Sequence, residues 1–195
     1  MRKRHILAAV AAAAAVPLAT AIPAYSHGWI TTPPSRAALC AAGTVANCGD
    51  IRWEPQSVEG PKGFPAKGPA DGTLCAGGNG RFAQLDDPRG GAWPATRVSA
   101  GQRLTFTWKF TARHATTQFR YYLTRPGYSA GTRLTRANLD STPFLTVPYN
   151  GAQPPTTLSH TATLPSGRTG HQVVLAIWDV ADTGNAFYQC MDVTF

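Results

Sequence analysis

Charge is scarce in this chain. Asp, Glu, Lys and Arg make up 14% of its 195 residues, against about 25% in an ordinary soluble domain. Beyond the first residues there is no run of Lys or Arg, which argues against a nucleic-acid footprint. Methionine is nearly absent, with Met1 and Met191 only. The four cysteines contain no C-x-x-C pair, the spacing of many zinc and thiol-redox sites. No internal repeat, low-complexity tract or linker follows the N-terminal apolar stretch, and no later segment could span a bilayer. Helical periodicity is also missing, and the 19 Gly and 16 Pro leave little room for helix. What remains is nonetheless able to build a core: 43% of the chain is hydrophobic, with five Trp, and the length suits one domain.

The N-terminus reads as a leader. Arg2, Lys3 and Arg4 precede an unbroken apolar run from Ile6 to Val16, too short for a spanning helix. Ala24-Tyr25-Ser26 offers small residues at both positions that a signal peptidase reads. The expected division is a secretory signal peptide at 1–26 and a mature domain at 27–195. The product is then secreted and extracellular, with no membrane partner. Removing the leader takes three of the eighteen Lys+Arg and none of the ten Asp+Glu, which leaves +5. That charge is small and scattered, so no nucleic-acid partner is expected.

Export makes disulfides the default state of Cys40, Cys48, Cys75 and Cys190. Three pairings are possible. The favoured one joins Cys40 to Cys48 in a short loop and Cys75 to Cys190 in a long one.

The body reads as short strands between long loops. Leu104, Phe106, Trp108 and Phe110 alternate with Thr105, Thr107 and Lys109, a period-two strand with one buried face. Strands are also expected at Gln118–Leu123, at His171–Val180, which is apolar enough to be central, and from Phe187 to Phe195. In the last, Cys190 points away from the Met191/Val193 face. Between Ile30 and Val98 periodicity is weak and turn formers are dense. The expected fold is all-β: an immunoglobulin/fibronectin-III-like antiparallel β-sandwich with a long loop/short-helix excursion between the first strands. Long loops on a small scaffold usually carry function.

One motif is a decoy. Gly127-Tyr128-Ser129-Ala130-Gly131 matches the G-x-S-x-G elbow of serine hydrolases, and Asp140 and His160 follow in the right order. The motif has meaning only between a strand and a helix. Here it follows Arg125-Pro126 and precedes no helical pattern, so it reads as a loop.

His27 is more informative. Cleavage after Ser26 would make it the mature N-terminus, offering an α-amine and ring Nδ1 from one residue. With a second His it would give a three-nitrogen planar site, a donor set suited to Cu(II). The amine must be unprotonated to bind, and its ordinary pKa near 7.7–8.0 makes this inexpensive. Of the other histidines, His5 leaves with the leader, and His160 and His171 flank a Pro/Gly/Ser-rich turn and read as surface residues. His114, just beyond the Leu104–Phe110 strand, is the best partner.

Several segments together carry a family resemblance. They are His27-Gly28-Trp29, Trp53-Glu54-Pro55-Gln56-Ser57-Val58-Glu59-Gly60, Gly63-Phe64-Pro65, Gly68-Pro69-Ala70-Asp71-Gly72, Thr111-Ala112-Arg113-His114 and Trp178-Asp179, with Asp182-Thr183-Gly184-Asn185-Ala186-Phe187-Tyr188-Gln189. The chain resembles the bacterial lytic polysaccharide monooxygenases of auxiliary activity family ten, in their chitin-active branch, over essentially its whole mature length. The resemblance implies one copper ion per chain, held by His27 and His114 in a histidine brace. It implies C1-oxidising cleavage of crystalline chitin with an external electron donor and O2 or H2O2, by a monomer. Phe187 would lie on the axial side of the copper, with Ala112 crowding the opposite side. Glu59 would be the acid near the copper and Trp178 would pack beneath it. Trp53 and Glu54 would belong to the binding face, with Asp182, Thr183 and Asn185 nearby and Asp182 a candidate sugar contact. Trp53 stands where a chitin-active member has Tyr, and both rings stack on sugars. Of the two disulfides, only Cys40–Cys48 gains support from the resemblance.

Other readings remain open at this stage. The same chemistry could act on cellulose, or the chain could be a non-catalytic chitin-binding protein or a copper carrier. Against the carrier, Cu(I) carriers tend to be Met-rich. Glu54 and Glu59 as a glycosidase pair would need a cleft deep enough to seat a sugar between two carboxylates.

Overall fold

A computed structural model describes residues 27–195, and the expected leader at 1–26 lies outside the described residues. The strands, in chain order, are β1 (His27–Thr32), β2 (Glu59–Pro61), β3 (Thr96–Arg97), β4 (Arg103–Ala112), β5 (Thr116–Leu123), β6 (Leu145–Pro148), β7 (Thr157–Thr163), β8 (His171–Val180) and β9 (Asn185–Thr194). They form a sandwich. One sheet runs β1-β4-β7, and the other runs β2-β9-β8-β5-β6, with β3 beside the far end of β9. Pairing is antiparallel except for β3 on β9, where Thr96 lies opposite Val193.

The alternation of β4 is realised as read. Phe106, Trp108 and Phe110 are buried, while Lys109 and Thr105 face out. On the outer side Thr105 and Thr107 hydrogen-bond across the sheet to Thr161 and Ser159 of β7. Between the sheets, Phe106, Trp108 and Phe119 pack with Val174, Trp178 and Met191.

β8 and β9 are buried along almost their whole length because they have neighbours on both faces. The 33–95 excursion covers the outer side. It contains the helix α1 (Arg36–Ala41) and 3-10 turns at Gly49–Arg52, Gly80–Leu85 and Arg89–Gly91. Ser35 caps α1 by accepting from the Ala38 N–H. Ile51, Val58, Phe64, Leu74 and Phe82 of the excursion pack on Leu175, Ile177, Tyr188 and Cys190. Burial on two faces explains why β8 reads as a near-continuous apolar run.

Both favoured disulfides are present, Cys40–Cys48 and Cys75–Cys190, spanning 8 and 115 residues. Beside the second, buried Arg36 forms a fork on Asp192, with bonds of 2.7 and 3.0 Å, and His171 Nε2 lies 2.7 Å from the same carboxylate. Burial alone would raise the Asp192 pKa; Arg36 and His171 outweigh it and hold the carboxyl below its usual range.

Two histidine assignments are corrected. His171 is half-buried and engaged with Asp192. His160 is 7% exposed. The turn between them exists, but β7 places His160 on its inward side. The polar composition of that strand (Thr157, Ser159, Thr161) conceals its buried face. Trp108 Nε1 donates to Tyr121 Oη at 2.8 Å, and Tyr121 Oη lies 2.7 Å from His160 Nδ1. Burial pushes the His160 pKa down to about 4.

Two stability measurements follow. The unfolded chain protonates His160 near pH 6.5, whereas the folded chain resists to about pH 4. The unfolded state therefore binds more protons in this window, and stability is lost as pH falls through it. His160→Gln should flatten the slope between pH 6.5 and 4 by up to about 1.4 kcal/mol per pH unit, read by urea denaturation at several pH values. Replacing both Cys75 and Cys190 by Ser should cost about 5 kcal/mol, against about 2.5 for the Cys40/Cys48 pair, by loop-closure entropy. Equal losses in calorimetry would contradict this ordering.

Candidate metal centre and binding face

His27 begins β1 and lies opposite Ala112 at the end of β4, so the sheet register brings the chain segment that leads into His114 to the same end of the sandwich. Gly28 lets β1 sit close to the core: a Cβ there would lie 2.7 Å from Phe110 Cδ1 and 3.2 Å from Trp178 Cζ3. Gly28 N–H also donates to Gln56 O at 3.0 Å, which ties β1 to the 53–60 loop.

The position of His114 is fixed through its backbone and its ring. Trp178 Nε1 donates to Thr116 Oγ1 at 2.7 Å, and Thr116 Oγ1 donates to His114 O at 3.0 Å. The ring Nδ1 sits 3.3 Å from both oxygens of Asp182. His114 is buried while the Asp182 side chain is 51% exposed. The 181–184 turn that presents Asp182 is held by Ala181 N–H to Ala115 O and by Lys62 N–H to Gly184 O.

Phe187 is fully buried and stacks on Trp178 with centroids 4.8 Å apart. Trp178 in turn meets Phe110 edge-on at 4.8 Å. Across the short β2–β9 ladder Glu59 is opposite Phe187. Asn185 Nδ2 donates to Glu59 Oε1 at 2.8 Å, and Thr183 Oγ1 accepts from the Asn185 N–H. A cleft of about 500 Å³ opens beside His27, bordered by Glu54, Glu59, Asn79, Arg81 and Asn185.

Trp53 is 76% exposed, the one large hydrophobic side chain so exposed among the described residues. Its loop follows the Gly49–Arg52 turn, with Trp53 N–H bonded to Asp50 O. The Arg52 guanidinium stacks over the indole at 4.3 Å. The structure therefore assembles His27, Glu54, Glu59 and Asn185 around one cleft and joins His114 to Asp182. The expected sugar contact, Asp182, is engaged with His114. Ser129 lies exposed in a turn closed by Thr132 N–H to Ser129 O, with neither Asp140 nor His160 bonded to it, which fits the loop reading.

Some contributors were not legible in sequence. Arg81 bonds Glu54 at 2.5 Å and Asp50 at 3.2 Å, but it lies in a Gly-rich stretch without periodicity. Arg120 forks onto Asp179 with bonds of 2.8 and 3.0 Å and donates to Phe64 O, anchoring the loop after β2 beneath the site. Lys62 Nζ caps Val180 O nearby. Asp179 is the one acidic residue of the apolar His171–Val180 strand, and that placement was the available signal.

Among the described residues no three His, Cys, Asp or Glu side chains group closely enough to hold a metal. No helix among them is long and apolar enough to cross a membrane.

Comparisons with known proteins are consistent with this geometry. A family model described as "Lytic polysaccharide mono-oxygenase, cellulose-degrading" matches residues 27–193. An AA10 family lytic polysaccharide monooxygenase C of Mycosarcoma maydis is 47% identical, over 87% of this chain and 52% of its own length. A GlcNAc-binding protein A of Shewanella oneidensis is 44% identical, over 88% of this chain and 36% of its own. The chain thus spans about half the curated relatives it matches, or less. A solved AA10 lytic polysaccharide monooxygenase from Streptomyces lividans superimposes with a TM-score of 0.84 at 63% identity, over 87% of this chain and all of the other. A Bacillus amyloliquefaciens CBM33 solved in complex with Cu(I) gives 0.78 at 37% identity, over 86% of this chain and 99% of the other. By sequence, fold and the extent of the match, the chain belongs to the AA10 lytic polysaccharide monooxygenase family.

Proposed function

We propose that residues 27–195 form a secreted, copper-dependent domain that cleaves glycosidic bonds in crystalline chitin by C1 oxidation. An external electron donor and O2 or H2O2 are its co-substrates, and it works as a monomer after removal of 1–26. The observation that carries this reading is the placement of His27, as the first residue of β1, at the end of the sheet from which the His114 segment emerges.

The donor set fits one copper ion. Asp182 faces His114 Nδ1, which leaves Nε2 to ligate, the usual role of a carboxylate behind a metal-bound imidazole. A processed His27 would add its α-amine to its ring nitrogen, which with His114 makes three nitrogen donors. Bound copper would supply the one-electron chemistry that activates O2 or H2O2. Around it the protein's own groups have separable tasks. Phe187 and Ala112 would flank the copper position and limit access to it, and Trp178 supports Phe187 by stacking on it. Asn185 engages Glu59 Oε1, leaving Oε2 to accept or return a proton in the cleft beside His27. Trp53 presents its exposed indole, with Arg52 stacked on it, to a sugar ring, and Glu54, Thr183 and Asn185 add polar contacts. An exposed aromatic and a surface-lying metal suit a substrate that cannot thread into a pocket.

The relatives named for GlcNAc binding favour chitin, while the family description favours cellulose. The copper-loaded domain starting at His27, given ascorbate and β-chitin, should release oxidised chito-oligosaccharides detectable by mass spectrometry. Oxidised cello-oligosaccharides from cellulose alone would move the substrate to cellulose. Chitin binding without products would leave a binding module. Retaining Ser26 ahead of His27 should abolish product formation and weaken Cu(II) binding by calorimetry. Unchanged affinity would remove the amine from the ligand set. Asp182→Asn should weaken Cu(II) binding about tenfold and alter its electron paramagnetic resonance spectrum.

A further inference from the structure

The cleft beside His27 carries a charged assembly in which the preceding reading gives Arg81 and Asp50 no role. Arg81 Nη2 lies 2.5 Å from Glu54 Oε1 and 3.2 Å from Asp50 Oδ2. Bonded to the same nitrogen, the two carboxylates are close enough to repel each other were the cation absent. Arg81 is itself held in place. Asn79 Oδ1 accepts its backbone N–H at 3.0 Å, and its guanidinium lies 5.4 Å over the ring of fully buried Phe82.

Stability does not account for the arrangement. The Arg81 and Asp50 side chains are 58% and 62% exposed, and ion pairs so placed contribute little to folding. Glu54 is the more enclosed member, 28% exposed, and it follows Trp53 directly. Arg81 thus fixes the acid that adjoins the exposed indole. More than half of its own surface stays open to a ligand, and it borders the same cleft as His27, Glu59 and Asn185.

We propose that Arg81 is a substrate-positioning residue: it holds the Glu54 carboxylate at the cleft rim and joins it in contacting an uncharged polysaccharide chain. This rests on the polysaccharide reading above. A neutral substrate gains nothing from a long-range field, so the pair acts through hydrogen bonds. Glu54 accepts from sugar hydroxyl or amide N–H groups, and the guanidinium donates to sugar oxygens. The binding face then extends from Trp53 across Glu54 and Arg81 to the cleft.

Binding isotherms on β-chitin for the mature protein, with Arg81→Ala, Glu54→Gln, the double variant and Trp53→Ala, test the inference. Each of the first two should raise Kd about three- to tenfold, with thermal midpoints within about 2 °C of wild type. The double variant should bind no worse than about twofold below the weaker single variant, because the two residues act as one unit. Arg81→Lys should recover part of the loss. Wild-type binding by Arg81→Ala, alongside impaired Trp53→Ala, would overturn the role of Arg81 and leave the polysaccharide reading standing. Effects that multiply in the double variant would overturn the pairing. A wild-type protein that binds neither β-chitin nor cellulose, or a Trp53→Ala that binds as wild type, would remove the underlying reading and this one with it.

Discussion

The two-sided burial of β8 and β9 is the constraint on which the rest of the molecule depends. A sandwich sheet normally keeps one face wet. Here the excursion covers the outer face, so Val173, Leu175 and Ile177 find partners on one side while Val174, Ala176 and Trp178 find them on the other. The excursion has little regular structure of its own. It is ordered by packing on β8 and β9, by the Cys75–Cys190 link and by the buried Arg36–Asp192 fork. Breaking that fork from one side would strand a buried charge, so it fixes the excursion more by what its loss would cost than by net attraction.

The candidate centre is a product of the same packing. Trp178 faces inward from β8 and supports Phe187 from β9, and its indole nitrogen reaches Thr116 and through it the backbone of His114. Glu59 comes from the excursion but takes its place by pairing with β9 opposite Phe187. First strand, inner strands and excursion therefore meet at one end of the sandwich. Each contributes one part of the centre, and none of them would place its part alone.

Period-two alternation made β4 legible in the sequence, because it places apolar side chains on one face and polar ones on the other, and in β9 the same period set Cys190 on the face opposite Met191 and Val193. β7 was not legible. Its inward side is made by Leu158 and His160 between hydroxyl residues, a pattern that reads as a turn-flanking polar stretch. The excursion could be recognised as irregular but not traced, since its course is set by contacts far apart in sequence. His27 and His114 could be singled out as candidates from their positions relative to the expected leader and the strand end, and the roles proposed for their neighbours rest on a motif resemblance. The Asp182–His114 contact and the Arg81–Glu54 pair were not legible, because both arise where loops distant in sequence cross.

The Cys40–Cys48 link closes its loop immediately before the turn that presents Trp53, and the excursion is tied again at Cys75. A loop surface fastened this way has few conformations left to lose. Soft partners can be met halfway, each side adjusting to the other, but a crystalline lattice does not yield. For the crystalline substrate proposed above, the ordering penalty of association would fall on the protein, and cross-linking moves part of that penalty from the moment of contact to the moment of folding.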